Sequence, residues 1–325
     1  MKLRNLDLSN DPVNAEHAEL GLPPVEEEVL HPGEHPVLRL FGWLAAFMLI
    51  SAAVYLLLRL FNYSGSLISA ETLVLETLQS KVFWSAVAVG VLAQSIDGAL
   101  GMAYGITSNT FLLASGIPPA VATASVHIAE VFTTGVSGLA HIKMKNVNPK
   151  LFLRLLVPGL TGAIGGAYFV SSIDGDTLKP YISGYLIIMG LYLVSKIFYH
   201  YKPTHEEPRH VAKLALFGGF VDSVGGGGWG PVVTTTLIGS GHDPRTTIGS
   251  VNFAEFFLTF GSAIAFSVLV GSGPWPIVAG LVIGGVFAAP FAALLTRKVH
   301  AKTLLVMVGV LISLVSTANL ISGLI

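Results

Sequence analysis

One sequence pattern occurs twice in this chain, 125 residues apart, and this duplication is the feature that most restricts the fold. The first copy begins at Asp97 and the second at Asp222, and 97–137 aligns with 222–262 without a gap. The copies share residue types that apolar composition alone does not reproduce: Asp97/Asp222, Gly101/Gly226, Gly105/Gly230, Pro119/Pro244 and Glu130/Glu255. The chain is therefore predicted to contain two related structural units.

The composition is that of a membrane protein. Of the 325 residues, 52% are hydrophobic and only 11% are charged, and the mean hydropathy is +0.71. A soluble domain carries about 25% charged residues. Apolar runs, several of them about 20 residues long and so long enough to cross a bilayer as helices, recur at 40–58, 82–96, 119–140, 151–170, 181–199, 211–221, 246–270, 276–296 and 303–323. We expect an all-α integral membrane protein, because helices satisfy their own backbone groups in lipid.

The chain divides into four regions. Residues 1–39 contain eight acidic and three basic side chains and five prolines, which predicts a disordered acidic cytoplasmic tail. Residues 40–81 are expected to form one N-terminal transmembrane helix and a linker. Membrane repeat 1 is predicted over 82–200 and membrane repeat 2 over 201–325.

The distribution of basic residues predicts that the two repeats have opposite orientations. The loops around 143–154, 196–213 and 297–302 are basic, whereas 171–179 holds one lysine and 271–276 holds no basic residue. Cytoplasmic loops are enriched in lysine and arginine. The loop near 146 is then internal and its mate near 271 external, so the repeats are inverted and each crosses the membrane an odd number of times.

Glycine-rich centres interrupt the first segment of each repeat, at 98–105 and 225–231. Such runs disfavour a continuous helix, and we interpret both segments as re-entrant pairs of half-helices. Each repeat then consists of one such pair and three transmembrane helices. With the N-terminal helix the chain has seven spans, a cytoplasmic N-terminus and an external C-terminus. If the broken segments span the membrane instead, the repeats are parallel; the sequence leaves this alternative open.

Four carboxyl groups lie inside apolar segments, as two repeat-related pairs. An ionisable group in the hydrocarbon region costs about 2.5–3.5 kcal/mol on insertion scales, so such residues usually face a bundle interior or an aqueous path. His127 shares a helical face with Glu130 and titrates in the physiological range when unperturbed. Hydrogen-bonded struts between helices are the alternative to a role in ion coupling. The candidate coupling residues are Asp97, His127, Glu130, Asp222 and Glu255.

The glycine breaks also predict an anion site. A second half-helix that begins after each break presents free backbone N–H groups, and Pro231 suits the first turn of such a helix. Two helix N-termini aimed at the membrane midplane attract an anion. The alternative is that the glycines only permit close helix packing. The candidate substrate contacts are Gly101, Tyr104, Gly105, Thr110, Gly226, Gly228, Trp229, Gly230, Thr235 and Asn252.

These residues resemble the sulfite exporter TauE/SafE family. The resemblance rests on Asp222–Pro231 with its fainter partner Asp97–Gly105, on the Gly-x-x-Pro elements, and on Ser-Val-x-x-Ala-Glu at 125–130 and 250–255. It covers about 82–323. It implies a secondary transporter that moves sulfite, sulfonates or related small organic anions across the bacterial inner membrane. The first copy departs from the glycine-rich pattern at Ala99, Met102 and Ala103.

The leading hypothesis is export of a small sulfur oxyanion, such as sulfite or sulfoacetate, by alternating access with proton coupling. A passive anion channel and an intramembrane aspartyl protease that uses Asp97 and Asp222 are the alternatives. The chain has no cysteine and no P-loop. We expect no enzymatic activity, no cofactor, no metal and no nucleic-acid partner; the expected partners are the substrate anion, protons and lipid. A homodimer remains open.

Overall fold

A computed structural model describes residues 35–64, 67–100, 102–198, 210–271, 274–298 and 301–322. Within these ranges the regular structure is helical throughout, which confirms the all-α prediction. The α-helices are α1 Pro36–Ser64, α2 Leu67–Gln79, α3 Lys81–Leu100, α4 Tyr104–Ala114, α5 Pro119–Lys143, α6 Pro149–Ser172, α7 Gly175–Ser195, α8 Val211–Gly225, α9 Thr235–Gly239, α10 Pro244–Leu269, α11 Trp275–Lys298 and α12 Ala301–Ser322. A π-helical turn, Gly230–Thr234, precedes α9.

The N-terminal helix is longer than the sequence indicated. It begins at Pro36, inside the predicted tail, because proline suits a first helical turn and Leu38 is fully buried. It continues to Ser64, and much of the expected linker forms α2. The rest of the predicted tail, residues 1–34, lies outside the described residues.

Several helices are suited to a bilayer. Among the described residues, four are long and apolar enough to cross it: Pro36–Leu58, Pro149–Ser172, Gly175–Ser195 and Pro244–Leu269. Shorter apolar stretches, Trp275–Ala288 and Val306–Ser322, occur in α11 and α12. These helices support a multi-pass membrane protein, whereas the count of seven spans remains a prediction.

Helices α5 and α10, each the second helix after a break, start in the same way. Pro119 opens α5 and its repeat mate Pro244 opens α10, at positions where a missing N–H does no harm. Asp243 caps α10 by accepting a hydrogen bond from the Thr246 amide at 2.8 Å. Asn148 caps α6 by accepting from the Lys150 and Leu151 amides.

Two close helix pairs join the first half of the chain to the second: α3 packs on α11, and α6 packs on α8. Glycines permit both contacts. A methyl group on Gly90 would lie 2.6 Å from the Leu281 carbonyl oxygen, and one on Gly162 would lie 2.1 Å from that of Leu216. Small residues therefore set the backbone-to-backbone approach, as they do in other membrane helix pairs.

Helices α5 and α10 cross at the centre of the molecule and run antiparallel. The hydroxyl oxygens of Thr134 and its repeat mate Thr259 are 3.4 Å apart. One turn further along α5, Gly138 packs against Phe253, which lies earlier in α10. Residue numbers that rise along one helix thus fall along the other.

The chain turns back at the second break. The Trp229 amide bonds to Asp222, and Val233 lies 2.5 Å from the position of a methyl group on Gly218. The π-helical turn therefore runs back along α8. This geometry forms a hairpin of two short helical segments.

Helix α1 lies at the periphery of the bundle. The Phe41 ring meets the rings of Phe152 and Phe257 edge-on, with centroids 5.1 Å and 5.6 Å apart. Trp43 and Phe47 point outwards and are 71% and 68% exposed. Large apolar side chains that face outwards suit contact with lipid.

Candidate functional site

The two helix breaks form where the sequence predicts them, although they are shorter than the glycine-rich segments. In the first, α3 continues to Leu100 and α4 starts at Tyr104, after Ala103 with a φ of +90°. In the second, Gly226 and Gly227 have φ values of +67° and +141°, which glycine adopts at little cost. Gly101 lies outside the described residues, and Gly230 begins the π-helical turn.

An aspartate bridges each break in the same manner. The Tyr104 amide donates to Asp97 Oδ1 at 3.4 Å, and the Trp229 amide donates to Asp222 Oδ1 at 2.9 Å. Both bonds span seven residues, so the pattern is repeated in the two halves. The carboxyl groups predicted to couple ions thus accept from the first amide of the segment after each break.

The two breaks lie in direct contact. A methyl group on Gly105 would lie 2.7 Å from both the Gly226 carbonyl oxygen and the Gly227 Cα. One on Gly227 would lie 2.2 Å from the Ile106 nitrogen. Only glycine fits on either side, and the start of α4 faces the glycines that follow α8.

Two buried amides at this contact have no hydrogen-bond partner within the part of the chain that the structure describes. No described residue accepts a hydrogen bond from the N–H groups of Ile106 and Gly228, and both residues are buried. Buried N–H groups without an acceptor are rare in proteins. The contact therefore offers free donors from both halves of the chain, which is the chemistry that an anion requires.

His127 connects α5 to the second break. Its Nδ1 lies 3.0 Å from the Thr123 carbonyl oxygen and its Nε2 lies 3.2 Å from Asp222 Oδ2. A carbonyl oxygen only accepts hydrogen bonds, so Nδ1 carries a proton. The Nε2–Oδ2 contact then holds one further proton, in either an imidazolium–carboxylate pair or an imidazole–carboxylic acid pair.

The remaining carboxyl groups lie near this pair. Glu130 is 3% exposed, and its Oε2 makes no hydrogen bond to a described residue. Its Oε1 lies 2.8 Å from the position of a methyl group on Gly105. Glu130 is within electrostatic range of Asp222, Glu255 and Asp97. Carboxyl groups that are buried this close together repel one another when they are ionised.

Several predicted substrate contacts bond to the protein itself. The Tyr104 hydroxyl donates to the Leu281 carbonyl at 3.1 Å, and the Trp229 indole donates to the Val251 carbonyl at 3.0 Å. The Thr110 and Thr235 hydroxyls donate to carbonyls one turn earlier in their own helices. These side chains brace the breaks in this conformation.

Asn252 is the repeat mate of His127, so the second repeat has an asparagine where the first has a histidine. It is 6% exposed, and its Oδ1 has no hydrogen-bond partner among the described residues. No hydrogen bond to Asp97 corresponds to the His127–Asp222 contact within the described part of the chain. The two halves of the site are therefore chemically unequal.

Two further residues contact the second break: Asn109, which the sequence places among the neutral donors that follow the first break, and Tyr185, which the sequence did not indicate. Asn109 Nδ2 donates to the Gly225 carbonyl at 2.6 Å, and the Tyr185 hydroxyl donates to the Gly227 carbonyl at 2.9 Å. Their repeat mates are Thr234 and Val310. Because neither side chain recurs at the 125-residue offset, the duplication gave no signal for them.

The breaks, the aspartates and the carboxyl groups all lie within residues 86–319, and this segment matches the family model described as "Sulfite exporter TauE/SafE". The chain belongs to the sulfite exporter TauE/SafE family. The match confirms the resemblance inferred from the doubled glycine pattern.

Relatives of this TauE/SafE chain carry transporter names. It is 44% identical over 244 residues to the "Probable membrane transporter protein YtnM" of Bacillus subtilis, which covers 72% of this chain and 81% of that protein. It is 29% identical over 205 residues to the "Probable membrane transporter protein ORF9" of Sinorhizobium sp, covering 58% and 72%. No solved structure matches this TauE/SafE chain.

Proposed function

We propose that this TauE/SafE chain is a secondary transporter that exports small sulfur oxyanions, such as sulfite or sulfonates including sulfoacetate, by alternating access with proton coupling. The observation that carries the proposal is the pair of buried, unpartnered amides at Ile106 and Gly228. They belong to different halves of the chain and lie where the two breaks meet. The family name and the names of the relatives support transport, and the amide chemistry supports an anion.

The anion would bind between the first turn of α4 and the stretch after α8. The start of α4 and the start of the π-helical turn each combine free N–H groups with the positive end of a helix dipole. Asp97 and Asp222 already accept from one amide each, so the unpartnered amides are those left for substrate. Since the breaks are in contact, this conformation is closed, and substrate entry requires them to separate.

An inverted repeat is part of the proposal. It is supported by the antiparallel crossing of α5 and α10, which are repeat mates, and by the contact between Thr134 and Thr259. When two repeats are related by a two-fold axis in the membrane plane, the rotation about that axis exchanges the two halves of the chain. Repeat-mate helices that meet at the axis then run antiparallel. The packing of α3 on α11 and of α8 on α6 is exchanged by the same rotation.

The orientation of the repeats can be measured with single cysteines, because the natural chain has none. Met144 and Leu269 are repeat mates at helix ends and are 52% and 45% exposed. In oriented vesicles, Met144→Cys should react with a membrane-impermeant thiol reagent from one side only and Leu269→Cys from the other. Labelling of both from the same side would show parallel repeats.

Proton coupling is proposed for the carboxyl cluster with His127. The Nε2–Oδ2 contact holds a proton in either ionisation state, and the adjacent Glu130 has an oxygen without a partner. Displacement of the breaks would change the surroundings of all these groups together. Proton binding and substrate binding are then linked through a single movement.

Flux into proteoliposomes tests the function. We expect ³⁵S-labelled sulfite or sulfoacetate to accumulate against its gradient when a pH gradient is imposed, and to equilibrate without accumulation when the gradient is collapsed. Absence of flux for all sulfur oxyanions would refute the proposal. Flux that only equilibrates under both conditions would identify a passive channel instead.

The protease alternative makes a different demand on the aspartates. It requires two carboxyl groups that share a proton. In the described residues Asp97 and Asp222 each accept from an amide of their own repeat, and no hydrogen bond joins them. The geometry therefore favours a structural and coupling role over catalysis.

A further inference from the structure

The carbonyl groups of the second break are held by side chains from the first half of the chain. Asn109 on α4 donates to the Gly225 oxygen, and Tyr185 on α7 donates to the Gly227 oxygen. The ring of Tyr185 also packs against the glycines, because a methyl group on Gly225 would lie 2.1 Å from Tyr185 Cε1. Two residues of the glycine run, Gly225 and Gly227, are thus held from outside their own repeat.

Fixing a carbonyl fixes the amide that follows it. The peptide group is planar, and no cis peptide occurs in the described residues, so C=O and N–H point in opposite directions. When Tyr185 holds the Gly227 oxygen on its own side, the Gly228 N–H points away from Tyr185. Glycines flank this peptide on both sides, and without the hydroxyl the peptide can rotate at little steric cost.

The first break lacks this arrangement among the described residues. The repeat mate of Tyr185 is Val310, whose side chain has no polar group, and that of Asn109 is Thr234, for which no hydrogen bond to a described residue of the first break is found. The aspartate bond is also longer in the first break, at 3.4 Å against 2.9 Å. The second break therefore has the shorter aspartate bond and, among the described residues, the additional side-chain contacts.

We propose that Tyr185 is a positioning residue that aims the Gly228 N–H at the substrate anion, and that Asn109 assists by holding the Gly225 carbonyl. This inference rests on the proposed anion transport and assigns its stronger binding half to the second break. Tyr185 itself does not touch the anion. Its hydroxyl acts through the orientation of one peptide group.

The test compares Tyr185→Phe with Tyr181→Phe. Both remove one hydroxyl from α7, but Tyr181 is 73% exposed on the outer surface. A hydrogen bond typically contributes about 1 kcal/mol, which is about fivefold in an equilibrium constant, so we expect the KM for sulfite to rise about three- to tenfold in Tyr185→Phe. The maximal rate should stay within about twofold, because the hydroxyl is not part of the proton path. Tyr181→Phe should match the unmodified protein in both quantities.

Ligand-induced thermal stabilisation gives a second readout that is independent of flux. Sulfite should raise the melting temperature of the unmodified protein and of Tyr181→Phe, and the concentration required should be about three- to tenfold higher for Tyr185→Phe. If Tyr185→Phe is not recovered folded, Asn109→Ala tests the same peptide stretch and should weaken sulfite binding in the same direction.

The outcomes separate this inference from the proposed function. Unmodified protein that neither transports nor binds a sulfur oxyanion would refute the function itself. Unmodified protein that transports while Tyr185→Phe keeps its KM and its sulfite affinity would overturn only the inference. A fall in maximal rate at unchanged KM would also overturn it, because that result indicates a purely structural role.

Discussion

The contact between the two breaks can be tested by adding one methyl group at Gly227. This residue has a φ of +141°, and a methyl group there would lie 2.2 Å from the Ile106 nitrogen and 2.5 Å from the Gly105 carbonyl carbon. A non-glycine residue in such a conformation costs about 1–3 kcal/mol. Overpacking against fixed backbone costs about 1–3 kcal/mol more. We therefore expect Gly227→Ala to lose about 2–6 kcal/mol of stability.

Two other glycines separate these contributions. Gly116 has a φ of +83° but no atom within 4 Å of the added methyl group, so Gly116→Ala should show only the conformational part. Gly165 is helical and also has open space around it. Gly165→Ala should be neutral or stabilising by about 0.5–1 kcal/mol, because alanine favours a helix interior over glycine.

Thermal unfolding of the three variants in the same detergent provides the comparison. The melting temperature should be highest for Gly165→Ala, lower for Gly116→Ala and lowest for Gly227→Ala. Sulfite flux should be lost only in Gly227→Ala, because only that added methyl group prevents the two breaks from closing around the anion. If Gly227→Ala has the same melting temperature as Gly116→Ala and retains sulfite flux, the two breaks do not touch in the working protein.

Three further substitutions test the groups around the breaks. Asp222→Asn should lower the melting temperature more than Asp97→Asn, because Asp222 makes the shorter bond to a backbone amide and also contacts His127. Hydrogen bonds to charged groups contribute about 1.5–3 kcal/mol. The reverse order would contradict the role of these hydrogen bonds in holding the breaks. Glu130→Gln should change the melting temperature little, because its Oε2 has no partner, but should abolish accumulation driven by a pH gradient; retained accumulation would exclude Glu130 as a coupling group. Trp229→Phe removes the indole donor to a buried carbonyl and should destabilise by about 1–3 kcal/mol in a denaturant or thermal titration, and an unchanged midpoint would contradict the bond.

The sequence predicted the parts of the fold that the duplication encodes. Matched aspartates and glycines at a constant offset located both breaks, at 98–105 and 225–231. The prediction could not place the ends of the breaks, because α3 continues through Asp97 and Gly98 as a helix.

The candidate site was predicted in its components but not in its connections. Asp222 was identified as a buried carboxyl group, yet its bond to the Trp229 amide depends on a turn geometry that residue spacing does not reveal. Asn109 and Tyr185 carry no mark in the duplicated pattern, because their contacts to the second break are not repeated. Long-range contacts made by one half alone require the folded structure.

The most direct test of the account is equilibrium binding of ³⁵S-labelled sulfite to the purified protein, measured beside Gly227→Ala and Gly165→Ala. The account predicts one saturable site per chain that sulfonates displace, unchanged in Gly165→Ala and lost in Gly227→Ala. Binding that does not saturate, or that survives in folded Gly227→Ala, would contradict the claim that the paired breaks form the anion site.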